Sequence, residues 1–161
     1  MSTDDLLIQL IDVLDEELER IAVLRFRLVV LGSLMAADQT PWLERSVQEL
    51  ERASEQLRLA DLRRAATTVG LSDEYNLGSE ARLGDIADRV DEAWGEILRD
   101  RRLRLLEEVA AVERLVETTA AAAGRRTTLV QEALAFLTDH GASTTYGRRP
   151  AGTAQLVQGA L

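Results

Sequence analysis

Apolar side chains recur at three- and four-residue intervals along the first 37 residues, which predicts one long helix. Thr3 is a candidate N-cap, because Asp4 and Asp5 would then complement the dipole of the first turn. We expect the helix to end near Ala37. The buried seam is predicted to use Ile11, Leu14, Leu18, Ile21, Leu28 and Met35, with Arg25 and Gly32 filling two gaps and Leu7, Leu10, Leu24 and Leu31 widening it.

A second long helix is predicted after the Asp38–Pro41 segment. Pro41 suits a first helical position, where its missing N–H has no partner, and Thr40 can cap it. The helix should run from Trp42 to about Val69 and pack antiparallel to the first, since the connection is short. Its seam is predicted at Leu43, Val47, Leu50, Leu57 and Leu62, and a glycine- and serine-containing loop is expected from Gly70 to Ser79.

The third apolar stripe begins near Leu83 and continues to Leu137, and the cationic run Arg99–Arg104 shifts its register. A continuous helix of about 60 residues would extend roughly 90 Å, whereas the first helix covers only about 54 Å. The third helix therefore either breaks, near Arg99–Arg104 or Gly124, or projects with an uncovered apolar face. We predict an all-α, elongated antiparallel bundle or coiled coil of three long helices. A helical domain is expected over residues 1–140, and a flexible C-terminal tail over residues 141–161.

The last part of this stripe predicts a surface for docking to other proteins. Its apolar side chains share a wide helical face, and a second chain or dimerisation could cover them. The tail that follows is small and polar and carries one aromatic residue, Tyr146, whose ring offers a large contact area at low entropic cost. The candidate residues of the docking face are Leu129, Val130, Ala133, Leu134, Phe136 and Leu137.

Composition narrows the function further. The chain has 161 residues, a net charge of −9, no cysteine and no lysine. The negative charge disfavours nucleic acid as a partner, and the absence of cysteine excludes disulfides and thiolate metal sites. The acidic start is unlike a secretory signal, and no apolar run is long enough to cross a membrane. We expect a cytoplasmic protein that does not insert into membranes.

Catalytic, metal and cofactor sites are not expected. His140 is the only histidine, so neither a paired Glu-x-x-His di-iron site nor a histidine-rich zinc site can form. A histidine at this place is typical of a helix C-terminus, where the dipole favours it. Without lysine there is no phosphate-binding loop of the glycine-rich lysine type. We therefore predict a protein that is not an enzyme and holds no cofactor.

Three features together resemble the FlgN family of flagellar type III export chaperones. They are the long N-terminal hairpin, the third helix ending in Ala133-Leu134-Ala135-Phe136-Leu137, and the Thr145-Tyr146-Gly147 tail. The apolar C-terminal end, Gln155–Leu161, is also similar to members of the family. Two features depart from it: Thr118–Ala123 stands where many members have asparagines, and Arg148-Arg149-Pro150 follows the Tyr-Gly pair.

The resemblance implies a cytoplasmic chaperone for the hook–filament junction proteins FlgK and FlgL. Such a chaperone would bind the C-terminal helical segments of its cargo, and Tyr146 would engage the export-gate component FlhA. Recognition of this kind requires an open apolar groove for an amphipathic helix. The chain itself would be a monomer or a weak homodimer. A different class also fits the pattern, namely a structural coiled-coil or adaptor protein that self-associates through the same seams.

Overall fold

All regular structure in the described part of the chain is α-helical. The computed structural model describes residues 2–78, 80–123, 132, 133 and 135. Three long helices and one short helix form it: α1 (Thr3–Ala36), α2 (Thr40–Tyr75), α3 (Leu83–Ala87) and α4 (Glu92–Ala123). The all-α class and the two long N-terminal helices are confirmed.

The N-cap of helix α1 lies one residue earlier than predicted. Ser2, not Thr3, is the N-cap: the backbone N–H of Asp5 donates to Ser2 Oγ (3.2 Å), and the N–H of Ser2 donates to Asp5 Oδ2 (2.8 Å). This reciprocal pair satisfies two donors that the helix itself leaves open. Thr3 is instead the first helical residue, and its hydroxyl lies 3.1 Å from Glu74 Oε1 at the far end of α2.

The turn between α1 and α2 forms where the sequence predicted it. Asp38 adopts a left-handed conformation (φ 54°), and the N–H of Gln39 donates to the carbonyl of Leu34 at 2.9 Å. This hydrogen bond closes the end of α1 by pairing a carbonyl that has no partner within the helix. Pro41 follows in the first turn of α2.

Helix α2 extends six residues beyond its predicted end. Gly70 lies inside the helix, so the loop predicted from Gly70 to Ser79 begins only after Tyr75. Asn76 (φ 54°) ends the helix, with the N–H of Leu77 donating to the carbonyl of Ser72 at 2.9 Å. The helix continues past Gly70 because of tertiary packing: Leu71 and Ser72 are buried, and this burial outweighs the weak helical preference of one glycine.

The third stripe is broken, but not at the predicted arginine run. A turn at Asp88–Asp91 separates α3 from α4, and Arg99–Arg104 lies inside an unbroken α4. Gly95 allows the close approach of the two helices, since a Cβ there would lie 2.6 Å from the carbonyl oxygen of Ala87. Arg99 secures the turn by donating to that same carbonyl (3.2 Å) and to Glu92 (2.8 Å). The alternative break at Gly124 lies outside the described residues.

Helix α1 is central, with α2 and α4 on either side of it. Ion pairs show that α2 runs antiparallel to α1, as predicted, and that α4 runs parallel to it. Among the described residues, no Cα of α2 lies within 8 Å of a Cα of α4. The pairs that set these directions are Glu17–Arg64 and Arg27–Glu49 for α2, and Asp15–Arg101 and Arg25–Glu108 for α4.

The core is a heptad-like seam, displaced from the predicted one by part of a turn. Ile11, Leu18 and Met35 are only half-buried, and Arg25 is exposed. Leu62, a predicted seam position of α2, is more than half exposed, so that prediction was wrong. Trp94 packs against the core, whereas Trp42 is exposed. The buried positions of α1 are Leu7, Leu10, Val13, Leu14, Glu17, Ile21, Leu24, Leu28 and Leu31.

Candidate partner-binding surfaces

The docking face predicted from sequence lies almost wholly outside the described residues. This applies to Leu129, Val130, Leu134, Phe136 and Leu137, and equally to Tyr146. Ala133 is described, is 4% exposed and belongs to the core cluster. A side chain that is 4% exposed offers almost no surface for contact with another chain.

A second apolar surface, which the sequence analysis did not single out, lies on the outer side of α1. We call it the Phe26 patch; it consists of Ala22, Val23, Phe26 and Val29. Phe26 is 59% exposed and Val29 48% exposed, although both lie in the middle of a long helix. These residues recur every three or four positions and so share one face over two turns.

An open groove of about 410 Å³ runs beside this patch, between α1 and α4. Ala22, Phe26 and Val29 form its apolar side, and Arg25 and Glu108 form its polar edge. Arg25 Nη1 lies 2.7 Å from Glu108 Oε2, and both side chains remain partly exposed. The groove therefore has an apolar stripe along one side and an ion pair, which is neutral overall, along the other.

The aromatic ring of the patch is held in place by its neighbour. The guanidinium carbon of Arg27 lies 5.5 Å from the centroid of the Phe26 ring. Arg27 is itself fixed by an ion pair of 2.7 Å to Glu49 on α2. A cation over a ring face is attracted by the ring quadrupole. The contact favours one orientation of the exposed ring by about 0.5–1 kcal/mol.

The α1–α2 seam contains a buried ion pair that the sequence analysis also missed. Arg64 Nε donates to Glu17 Oε2 at 2.8 Å, and the two side chains are 0% and 1% exposed. Asp61 also contacts Arg64. Burial raises the pKa of Glu17 from 4.5 to about 7, and the guanidinium of Arg64 offsets only part of that rise. Glu17 lies in the α1 seam between the buried Leu14 and Ile21.

Neither a metal site nor a membrane span appears in the described part of the chain. No group of three or more His, Cys, Asp or Glu side chains is placed there to hold a metal ion. None of the described helices is both long and apolar enough to cross a membrane.

The comparison with protein families shows which family this chain belongs to. The family model FlgN, described as FlgN protein, matches residues 1–153. The chain belongs to the FlgN family. Membership implies a flagellar export chaperone, as the sequence resemblance indicated, and the helical fold agrees with it. No curated protein and no solved structure matches this FlgN chain.

The Phe26 patch of this FlgN protein left a signal in the sequence. Ala22, Phe26 and Val29 keep helical spacing on a face distinct from the leucine seam. Two adjacent apolar stripes were therefore present in α1, and periodicity alone does not say which of them faces a neighbouring helix.

Proposed function

We propose that this protein binds the C-terminal helical segments of the hook–filament junction proteins FlgK and FlgL in the cytoplasm and delivers them to the export gate. The observation that carries the proposal is the FlgN match over residues 1–153, which includes the apolar face at Leu129–Leu137. A chaperone of this kind captures an amphipathic cargo helix before it aggregates. Ordering the cargo offsets part of the contact energy, so the affinity is moderate and release is possible.

The chemistry of the cargo contact follows from the residues of that face. Leu129, Val130, Leu134, Phe136 and Leu137 supply large apolar surface at helical spacing. Ala133 is already covered, so we assign the contacts to the five larger side chains. The ion-paired groups of α1, α2 and α4 join the helices of the bundle to one another.

The cargo site is tested by the double substitution Leu134→Asp with Leu137→Asp. Two carboxylates within an apolar contact would have to be desolvated, and we expect binding of FlgK and FlgL C-terminal segments to weaken about tenfold or more. Isothermal titration against each segment measures this effect. The matched control is Leu59→Asp with Leu62→Asp, which changes two exposed leucines of α2 at the same spacing and should leave affinity unchanged. Undiminished cargo binding by the first variant would refute the site.

The gate contact is tested by Tyr146→Ala. We expect this variant to bind cargo like the wild type and to lose binding to the cytoplasmic part of FlhA, because the tail tyrosine is the proposed anchor for the gate. Tyr146→Phe, which keeps the ring, is the control and should retain part of the FlhA binding. Pull-down with purified FlhA in the presence of cargo provides the measurement. If cargo binding were lost with Tyr146→Ala, the two contacts could not be separate.

A further inference from the structure

We propose that the Phe26 patch is a second cargo contact, which takes an amphipathic helix with an apolar stripe about two turns long. This inference rests on the proposed function and names a further surface for the same partner. It is carried by the exposure of Phe26 and Val29, by the groove beside them, and by the position of the patch relative to the end of α4.

The patch has the dimensions that a single helix requires. Ala22 to Val29 spans about 11 Å along α1, which corresponds to two turns of a partner lying alongside. The groove between α1 and α4 gives that partner an apolar floor on one side and a polar edge on the other. A helix whose large apolar residues recur every three or four positions would place them along this floor.

A second copy of the chain fits the patch less well. The exposed parts of Val23, Phe26 and Val29 together amount to roughly 300 Å² of apolar surface, whereas a stable interface buries about 800 Å² on each partner. A single two-turn stripe of this size is large enough for a transient contact with a helix, but it is too small for a stable dimer interface. The requirement for release makes a transient contact appropriate for a chaperone.

The described residues leave the patch open. Phe26 remains 59% exposed and Val29 48% exposed. Among the described residues, these side chains are available to a partner.

The patch lies near the described end of α4, and the proposed cargo face follows α4 in the sequence. Because α4 runs parallel to α1, Thr119 lies beside Gly32, with its Oγ1 3.8 Å from where a Cβ would stand on that glycine. Ala123, the last residue of α4, therefore lies near the C-terminal end of α1. This level is about ten residues of α1 beyond Phe26, or roughly 15 Å along the helix. A cargo helix of about 20 residues is roughly 30 Å long, so one that lies on the Phe26 patch can extend past Ala123.

The rim of the groove indicates how the partner is selected. Arg25 and Glu108, the charged residues that line the groove, are paired with each other, so both signs of charge are balanced at the edge. A neutral rim gives little attraction to a partner of either charge, and screening by salt should matter little. We expect this contact to recognise apolar spacing and to tolerate different charges on the cargo.

The experiment uses the full-length protein and a fluorescently labelled C-terminal segment of FlgL, with binding followed by anisotropy. Phe26→Asp should weaken binding about tenfold, and Val29→Asp should weaken it in the same direction, at both low and high salt. Leu62→Asp is the matched control, since Leu62 is 51% exposed on α2 and away from the groove; it should bind like the wild type. Circular dichroism on all three variants should show an unchanged melting temperature, because the substituted side chains point to solvent.

The outcomes separate this inference from the proposed function. If the wild type bound no segment of FlgK or FlgL, the proposed function itself would fail. If Phe26→Asp and Val29→Asp bound like the wild type while the Leu134→Asp, Leu137→Asp variant did not, the function would stand and the second contact would be refuted. A concentration-dependent dimer that disappears in Phe26→Asp, measured by sedimentation, would assign the patch to a second copy and likewise overturn the inference.

Discussion

Replacing Arg64 with methionine should lower the free energy of unfolding by about 3–5 kcal/mol, because it leaves the Glu17 carboxylate buried without its cation. Both side chains are essentially inaccessible, and they are joined by a hydrogen bond of 2.8 Å. An unpaired buried charge costs far more than the pair contributes while intact. Urea unfolding followed by circular dichroism at pH 8, above the pKa of Glu17 in the wild type, measures the effect.

Two controls show whether the loss comes from the orphaned charge. The double variant Glu17→Leu, Arg64→Met replaces the pair with apolar side chains of similar size and should be as stable as the wild type or more so. Arg58→Met breaks an exposed pair with Glu55 and should leave the urea midpoint almost unchanged. If Arg64→Met cost no more than Arg58→Met, the pair would not be buried in solution.

The second large effect is a loss of stability as the pH rises from 4.5 to 7. Burial raises the pKa of Glu17 from 4.5 in the unfolded chain to about 7 in the folded protein, so the folded state binds the additional proton within this window. The stabilisation is fully present below pH 4.5 and is lost as the pH rises through about 7. A shift of this size corresponds to about 3 kcal/mol in the free energy of unfolding.

The contribution of Glu17 is isolated by comparison with Glu17→Gln. The net charge of −9 makes other carboxylates contribute to the pH dependence, and these are common to both proteins. We expect the difference in unfolding free energy between wild type and variant to change by about 3 kcal/mol across the window, with the wild type losing stability as the pH rises. Parallel pH profiles for the two proteins would contradict this assignment.

Short-range features could be predicted because they depend on neighbouring residues. The Asp38–Pro41 turn, the end of α1 near Ala36 and the antiparallel hairpin all follow from helix periodicity and from the chemistry of helix ends. The cap at Ser2 was missed by one residue, because Ser2 and Thr3 are both good caps and only the reciprocal bond with Asp5 distinguishes them.

Features that depend on distant residues could not be predicted. Glu17 and Arg64 are separated by 47 positions, and each looks like a solvated charge until α1 and α2 are packed together. The break before α4 depends on the approach of Gly95 to Ala87. Two arginines of the 99–104 run find partners on other segments: Arg99 donates to the carbonyl of Ala87, and Arg101 pairs with Asp15. The run therefore stays helical although it interrupts the apolar stripe.

By itself the sequence determined the helical class, the hairpin and the membership of the FlgN family, since these follow from local periodicity and from sequence motifs. Tertiary structure alone decided that the second apolar stripe of α1 stays exposed as the Phe26 patch, and that Glu17 and Arg64 are buried together. The physical reason is that a helix buries only the faces against which its neighbours pack, and the residues that set the positions of α2 and α4 around α1 are far apart in the sequence.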